Sequence, residues 1–359
     1  MIVAKFGGTA VTPQNLHCIK NILTPAHGCV VVSAIGREHP TDTKVTDLLK
    51  SHFQCDAAAW EKIADKYRRL VAVNGVDIDV ESLLHSAFYR SRRYDLAYCM
   101  SLGEELSAKI VAAFLRRPYL EADRLIVFRN GRLARTETFR RIRDAVSQGF
   151  TGVVGGFYGG AILGNSPRQT FSRGGGDVTG AIFAAATHST IYENWTDVCG
   201  VCLADPKSVS GAVTVQNLSY HEMRMLADCG AQVLHPQSVS YVEKYGIPIK
   251  IGNYLNPQGA STLVSNCPSG LPLLFATEKV TNDAYRTTVL SNLPTHEVVE
   301  VLSALFCKLS VCNNHTVPVG TQSQPPFALY SCNVKANRAQ IVTTRSILKD
   351  VYHAFSQYM

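Results

Sequence analysis

No apolar run in the chain approaches the roughly 18 residues that a membrane-spanning helix needs, and the first residues, MIVAKFGG, lack the long apolar core of a signal peptide. The expected compartment is therefore the cytoplasm, with no membrane partner. Signals for disulfide pairing are missing as well. The eleven cysteines are odd in number and scattered through apolar segments, as at Cys29, Cys99, Cys229 and Cys307, which suits reduced, buried thiols. Cys199 and Cys202 form a CxxC, but no second CxxC and no paired histidines follow at zinc spacing, so no metal site is read from them. Internal repeats and low-complexity tracts are absent. The net charge of +7 comes largely from arginine clusters, Arg90, Arg92 and Arg93 and then six between Arg129 and Arg143. Aromatic residues that would stack bases are not interleaved with them, so these clusters read as solvated faces and no nucleic-acid partner is expected.

With 359 residues, 46% of them hydrophobic, the chain can bury a large core and exceeds one average domain. Residues 2–6, IVAKF, read as a short strand ending in Gly7-Gly8, with a helix opening near Pro13. The apolar run CVVVSA (29–34) has the character of a strand buried on both faces. Residues 56–117 carry i, i+3, i+4 apolar repeats, the mark of packed amphipathic helices. Strands return at LIVF (125–128), 151–157, 189–194 and 247–251, and helices fall between them. Such alternation gives an open, mostly parallel sheet between helical layers, an α/β fold. Near residues 256–272 the composition turns to Pro, Gly, Ser and Asn, which marks a domain boundary. Beyond it a smaller α+β unit is expected, with strands at 284–290, LSVCN (309–313) and 327–334 and helices from Thr295 to Lys308 and up to His353.

The most informative stretch is FSRGGGDVTGAIFAAA, residues 171–186. Three glycines let the backbone approach a ligand closely, and the free N–H groups of the helix that follows favour an anion such as phosphate. Arg173 supplies a fork of donors suited to carboxylate or phosphate, and Asp177 a carboxylate able to order a lysine or a metal ion. The KFGG turn makes a second strand–glycine–helix unit.

Several ordered segments resemble the signatures of aspartate kinases of the amino-acid kinase superfamily. KFGGTAV at the N-terminus is similar to their KFGGTSV, SLGEELSAK to their S-x-GE-x-x-S helix, FSRGGGDVTGA to their SRGGSD turn, and ENWTDVCGVCLADPK to their nucleotide loop. Further likenesses, VVVSAIGREHPTDTKVTDLL, GVVGGFYG, LADCGAQVLHP and IPIKIGNYLNP, extend the match over residues 1–264. The resemblance implies a three-layer α/β/α amino-acid kinase fold with a mostly parallel central sheet over 1–264. It also implies a single small α+β ACT-like domain over 271–359, regulatory or dimerising. The implied reaction is phosphorylation of the side-chain carboxylate of L-aspartate by ATP with Mg²⁺, the first step toward lysine, threonine, methionine or diaminopimelate.

On this resemblance Lys5 and Asp177 are the catalytic pair, Lys5 binding the transferring phosphoryl and Asp177 holding it in place. Ser33, Thr46, Glu104 and Arg173 bind the substrate, Glu104 taking the α-ammonium and Arg173 a carboxylate. Gly7, Gly8, Thr9, Gly174, Gly175, Thr196, Asp197, Asp205 and Lys207 surround the nucleotide and its phosphates. A homodimer through the C-terminal domain is implied, with Val298, Val301 and Leu305 beside the LYSCNV strand.

The chain departs from the family pattern at Ala10 and Gly176, where serines are usual, at Lys207, where arginine is usual, and at Gln232, where many members carry lysine. A neutral hydrogen bond is worth about 0.5–1.5 kcal/mol, so each lost hydroxyl has a modest effect. These departures motivate the alternative of a catalytically weak nucleotide or amino-acid sensor. The SNLPTHE loop of the C-terminal unit lacks the glycine that lets an effector approach the following helix, which favours a structural role there.

Overall fold

A computed structural model describes residues 1–149, 151–162, 166–171, 174–203, 209, 212–228, 234–270, 273–281, 284–291, 293–312, 329–335, 338–343 and 347–355. The chain divides into two compact units, Met1–Gly200 with Leu234–Asn266, and Val201–Val233 with Cys267–Met359. The break after Asn266 lies in the Pro, Gly and Ser-rich stretch. Residues 201–233, assigned from sequence to the first domain, group instead with the second. The carbonyl of Leu203 accepts from the Phe275 backbone, and Val209 lies in the second unit's core.

In the first unit β1 (Ile2–Phe6) leads through a 3-10 turn, Gly8–Ala10, to α1 (Leu16–Ile22) and β2 (His27–Val32). Four helices follow, α2 (Val45–Phe53), α3 (Ala57–Asn74), α4 (Val80–Ser91) and α5 (Leu96–Leu115). Asp56, Asp79 and Asp95 each cap one of them, their carboxylates accepting from Ala58, Ser82 and Tyr98. Next come β3 (Tyr119–Leu120), α6 (Ala122–Leu125), β4 (Val127–Arg129), β5 (Arg132–Leu133) and α7 (Arg135–Ser147). The expected LIVF strand is thus split, because Leu125 closes a helical turn and pairing begins only at Val127. Then follow β6 (Gly152–Gly155), β7 (Tyr158–Ala161), β8 (Arg168–Thr170), α8 (Gly175–Ala186) and β9 (Ile191–Thr196). After β10 (Asn217–Ser219) and α9 (Tyr220–Asp228) of the second unit, the first is completed by α10 (Pro236–Glu243), β11 (Ile249–Asn253) and β12 (Ser261–Ser265).

Its main sheet runs β12-β11-β9-β1-β2-β6-β3. All neighbours are parallel except β11 with β12. Side chains alternate across a strand, so Ala4, Phe6, Val30 and Val32 pack with α1–α5 on one face. Lys5 lies on the other face, toward α8. That helix packs on β1, β2 and β9 and is itself covered by α7 and α10, so its alanine-rich run is buried all round. A smaller sheet, β5-β4-β7-β8, stands beside the main one in the sequence of strands and delivers the chain to the glycine turn.

The second unit continues with β13 (Leu273–Thr281), β14 (Ala284–Ser291), α11 (Thr295–Cys312), β15 (Leu329–Lys335), β16 (Arg338–Thr343) and α12 (Leu348–Ala354). The antiparallel sheet order is β13-β14-β16-β15. From β14 onward the run is βαββα, and β13 fills the edge position that the last strand of a βαββαβ module would take. Residues 309–312, expected as a strand, continue α11 instead, and β16 is an additional strand. Val298 and Leu305 are buried within this unit's own core, beside Val289, Ile341 and Phe355, and do not form a free pairing face.

Among the described residues no helix is long and apolar enough to cross a membrane. Cys29 and Cys99 are buried as expected, whereas Cys55 and Cys267 are exposed.

Candidate active site

The carboxyl ends of β1, β2, β6 and β9 meet the N-terminus of α8, the position where open α/β sheets bind ligands. Lys5 Nζ lies 2.8 Å from Asp177 Oδ1, with side chains only 12% and 15% exposed. Asn194 closes a triangle with them. Its Oδ1 accepts from Lys5 Nζ at 3.4 Å, and its Nδ2 donates to Asp177 Oδ1 at 3.1 Å. Asn194 sits directly opposite Lys5 in the β1–β9 register. Among the described residues, the second carboxylate oxygen of Asp177 receives only a long 3.4 Å contact from the His235 backbone N–H.

Two glycine turns frame this triangle. Gly174 has a left-handed backbone (φ 77°), and a Cβ there would strike the His235 side chain at 2.5 Å, so only glycine fits. In the other turn the Gly7 N–H is held by the Trp195 carbonyl at 3.1 Å. A Cβ on Gly8 would lie 2.8 Å from the Ala34 carbonyl, whereas one on Gly7 would meet nothing nearer than 3.8 Å, at Lys5 Nζ and the Trp195 carbonyl. The bare backbone at Gly7 is thus not required by packing and leaves open space beside the lysine. Ser33 faces the same cradle, since a Cβ on Gly176 would fall 3.2 Å from its Oγ and 3.5 Å from Lys5 Cε.

Glu104 is reached across a short bridge of glycines. Gly155 lies against the Glu104 carbonyl and Gly156 against the Gly176 Cα, at 2.9 and 2.8 Å from their would-be Cβ atoms. The Glu104 side chain is buried, and its Oε2 has no hydrogen-bond partner among the described residues. Burial pushes its carboxyl up to about 8, against a smaller downward pull from the Ala34 backbone. Tyr67 donates to the Gly103 carbonyl at 2.7 Å and so holds this turn of α5 from behind. Gly103 itself packs on Ala34 and Val45, which brings the start of α2, with half-buried Thr46, to the same corner.

At the end of β9 the Thr196 hydroxyl donates to the Asp197 carboxylate at 3.1 Å. The Tyr254 hydroxyl donates to the Thr9 carbonyl at 3.0 Å while its N–H reaches the Thr196 carbonyl, so Thr9 and Thr196 are stitched together. Asn253 supports the Asp197 carbonyl at 3.4 Å.

The structure therefore brings Lys5, Gly7, Gly8, Ser33, Gly175 and Asp177 into one cradle, with Glu104 across the glycine bridge and Thr9, Thr196 and Asp197 along one rim. Arg173, Asp205, Lys207 and Gln232 lie outside the described residues. Sequence reasoning missed Asn194, which an asparagine, a residue depleted in strands, inside a strand segment would have signalled. It also assigned no role to Glu105. Glu105 is buried and ion-paired with Arg90 (2.9 Å), Lys109 (2.6 Å) and Arg168 (2.6 Å).

Comparison with known proteins places this geometry. The amino acid kinase family model matches residues 1–253. Aspartokinase 3 of Bacillus subtilis is 30% identical over 290 residues, covering 74% of this chain and 63% of that protein. Lysine-sensitive aspartokinase 3 of Escherichia coli is 25% identical over 312 residues, covering 77% of this chain and 66% of that protein. The chain thus spans just under two thirds of the length of these curated relatives. Among solved structures, an aspartate kinase from Clostridium acetobutylicum aligns with a TM-score of 0.74 at 25% identity, covering all of this chain and 82% of that one. The fold is also that of E. coli aspartokinase III in complex with aspartate and ADP, with a TM-score of 0.68, 19% identity, and 100% and 83% of the two chains covered. With its model matched over most of the length and the paired glycine turns in place, this chain belongs to the amino acid kinase family.

Proposed function

We propose that the chain is an aspartate kinase, transferring the γ-phosphoryl group of ATP to the side-chain carboxylate of L-aspartate to give 4-phospho-L-aspartate. The observation that carries this reading is the pairing of a phosphate cradle built on Lys5 and Asp177 with a buried, unpartnered carboxylate oxygen on Glu104, suited to an ammonium group. The names of the relatives support it.

Phosphoryl transfer passes through a loose transition state with charge spread over the phosphoryl oxygens, so the protein mainly positions and neutralises. Lys5, oriented by Asp177 and Asn194, supplies the positive charge, and the backbone N–H groups at the start of α8 and at Gly8 supply dipoles. The acceptor carboxylate is already ionised at neutral pH, so no general base is needed. Glu104 takes the α-ammonium, and Arg173 clamps the carboxylate that does not react; Ser33 and Thr46 add hydroxyl donors.

Magnesium usually takes one or two protein carboxylates together with substrate phosphates and water. Asp177 fits that demand, because its Oδ2 retains acceptor capacity toward the cradle. When bound, the ion neutralises phosphate charge. Thr9, Thr196 and Asp197 line the nucleotide's sugar and base, and Asp205 and Lys207 serve its phosphates. We further propose a cytoplasmic homodimer joined through the second unit, whose sheet ends in the two edge strands β13 and β15. Light scattering across concentrations tests that assembly, and a monomer at micromolar protein would remove it.

The activity test is hydroxamate trapping of acyl phosphate with L-aspartate, ATP and Mg²⁺. Turnover with glutamate or UMP, and none with aspartate, would overturn the assignment.

A further inference from the structure

Behind the face of α5 that carries Glu104 lies a buried ion network for which phosphoryl transfer has no use. Its centre is Arg168, on β8, only 6% exposed. The guanidinium is sandwiched between the rings of Tyr98 and Tyr158, 4.6 Å from each centroid. Its Nε donates to Asp123 at 2.8 Å, and Nη1 donates to the Ser101 hydroxyl at 3.1 Å and to Glu105 Oε2 at 2.6 Å. Ser101 and Glu105 are one helical turn apart, and the turn they bracket contains Gly103 and Glu104. Arg168 therefore grips α5 at both ends of the turn that presents the ammonium-facing carboxylate.

The other end of the grip is β8, which leads toward the glycine turn at the start of α8. Arg168 opens a three-residue strand paired with β7, Gly160 to Arg168 and Tyr158 to Thr170, and the Phe171 N–H is fixed on the Phe157 carbonyl at 2.8 Å. Arg173 follows five residues after Arg168 in the chain, immediately before Gly174. Arg90 and Lys109 also pair with Glu105, but they come from α4 and from α5 itself and make no link to β8. Arg168 also holds Asp123 through both Nε and Nη2, at 2.8 Å each, which fixes the plane of the guanidinium in a way that a lysine does not.

We propose that the Glu105–Arg168 ion pair is a positioning device that fixes the α5 turn presenting Glu104 against β8, the strand that leads into the glycine turn before α8, and with it the length of amino acid the site accepts. The inference rests on the aspartate kinase reading and deepens it. It makes Arg168 and Glu105 positioning residues that act through Glu104 and the strand before the glycine turn.

The test is steady-state kinetics of the full chain with L-aspartate, with the one-carbon-longer L-glutamate and with ATP, alongside thermal unfolding. Arg168→Met and Glu105→Gln should raise the aspartate KM by about tenfold to a hundredfold and narrow the preference for aspartate over glutamate. Their KM for ATP should stay within about twofold of the wild type, the range of substitutions away from a site. Arg168→Lys, which keeps the charge and loses the fork, should fall between, and it serves if Arg168→Met does not fold. Lys109→Gln removes a partner of the same carboxylate without touching β8, so it should lower the unfolding temperature and leave the aspartate KM within about twofold. If Lys109→Gln and Glu105→Gln changed the aspartate KM alike, or if neither Arg168 variant changed it, the positioning role would be wrong while the aspartate kinase reading stood. A wild-type chain that turned over no aspartate would remove both.

Discussion

Glu104 and Glu105 are consecutive residues of α5, both buried, and their surroundings drive them to opposite protonation states. Burial dominates at Glu104, where backbone hydrogen bonds from Ala34 and from Glu104 itself leave Oε2 unsatisfied and the carboxyl rises to about 8. At Glu105 burial also pushes upward, but hydrogen bonds from Arg90 and the charges of Arg168 and Lys109 outweigh it and hold the carboxyl well below the usual range. Carboxylates whose environments push them apart mark a division of labour. One is kept ready to accept a cation, and the other is committed to structure.

The first prediction follows from Glu104. In the free protein it is mostly protonated at pH 7, and an ammonium ligand favours the ionised form, so aspartate binding should release close to one proton at that pH. Affinity for aspartate should strengthen as pH rises from 6 to 8, by up to about tenfold per unit. Calorimetry in buffers of different ionisation enthalpy measures the proton release, which should vanish in Glu104→Gln. The stability sign is also fixed. A carboxyl raised from 4.5 to about 8 penalises the fold progressively across that window, so Glu104→Gln should be more stable than the wild type above pH 8 and equal to it below pH 4.5.

Glu105 has the opposite sign. Its lowered folded value contributes stability that is present above the unfolded value of 4.5 and is lost as pH falls below it. Glu105→Ala leaves Arg168 buried beside Asp123 alone and should destabilise the first unit by about 3–5 kcal/mol at neutral pH. In acid titrations followed by circular dichroism, the difference between wild type and Glu105→Gln should shrink toward low pH. A constant difference would contradict the ion-pair account.

A reciprocal pair of variants separates phosphate chemistry from substrate reading. Lys5→Ala should reduce kcat by about a hundredfold or more while aspartate still binds. Arg173→Ala should weaken aspartate binding by more than about tenfold, the loss of one charge-assisted contact, with ATP binding nearly unchanged. Loss of ATP binding with aspartate affinity intact in Arg173→Ala would reassign that arginine to the phosphates.

Two glycines should respond differently to the same methyl group. At Gly36 an added Cβ would run into the carbonyl of Gly8, so Gly36→Ala should destabilise the fold by about 1–3 kcal/mol. At Gly7 it would meet only ordinary contacts at 3.8 Å. Gly7→Ala should therefore unfold near the wild-type temperature and show a raised KM for ATP, as expected where open space belongs to a ligand.

The parallel sheet was legible in the sequence because β2 is buried along its whole length and the helices between strands keep a 3.6-residue apolar period. Short apolar runs were harder. LSVCN has the composition of a strand, yet its residues 309–312 prolong a helix, since such runs carry no period that distinguishes the two. In the site, Lys5 and Asp177 were readable because each sits in its own glycine turn, a local motif, and the resemblance paired the two turns. Asn194 and Arg168 were not, because their roles come from register and from tertiary contacts between segments 17 to 189 residues apart. The burial of Glu105 was invisible for the same reason. A charged helix residue looks solvated until its partners arrive from other elements.

The first unit is discontinuous, leaving the chain at Gly200 and resuming at Leu234. During synthesis from the N-terminus, β11 and β12 emerge only after the whole 201–233 excursion, so the main sheet lacks its last two strands for that interval. The excursion waits longer still, because Val209 packs in a core that includes Phe355, almost the last residue described. Cutting the gene after Asn266 would therefore not yield a clean half. It would release a first unit carrying an apolar insert stripped of its core, and such a fragment is a candidate for aggregation.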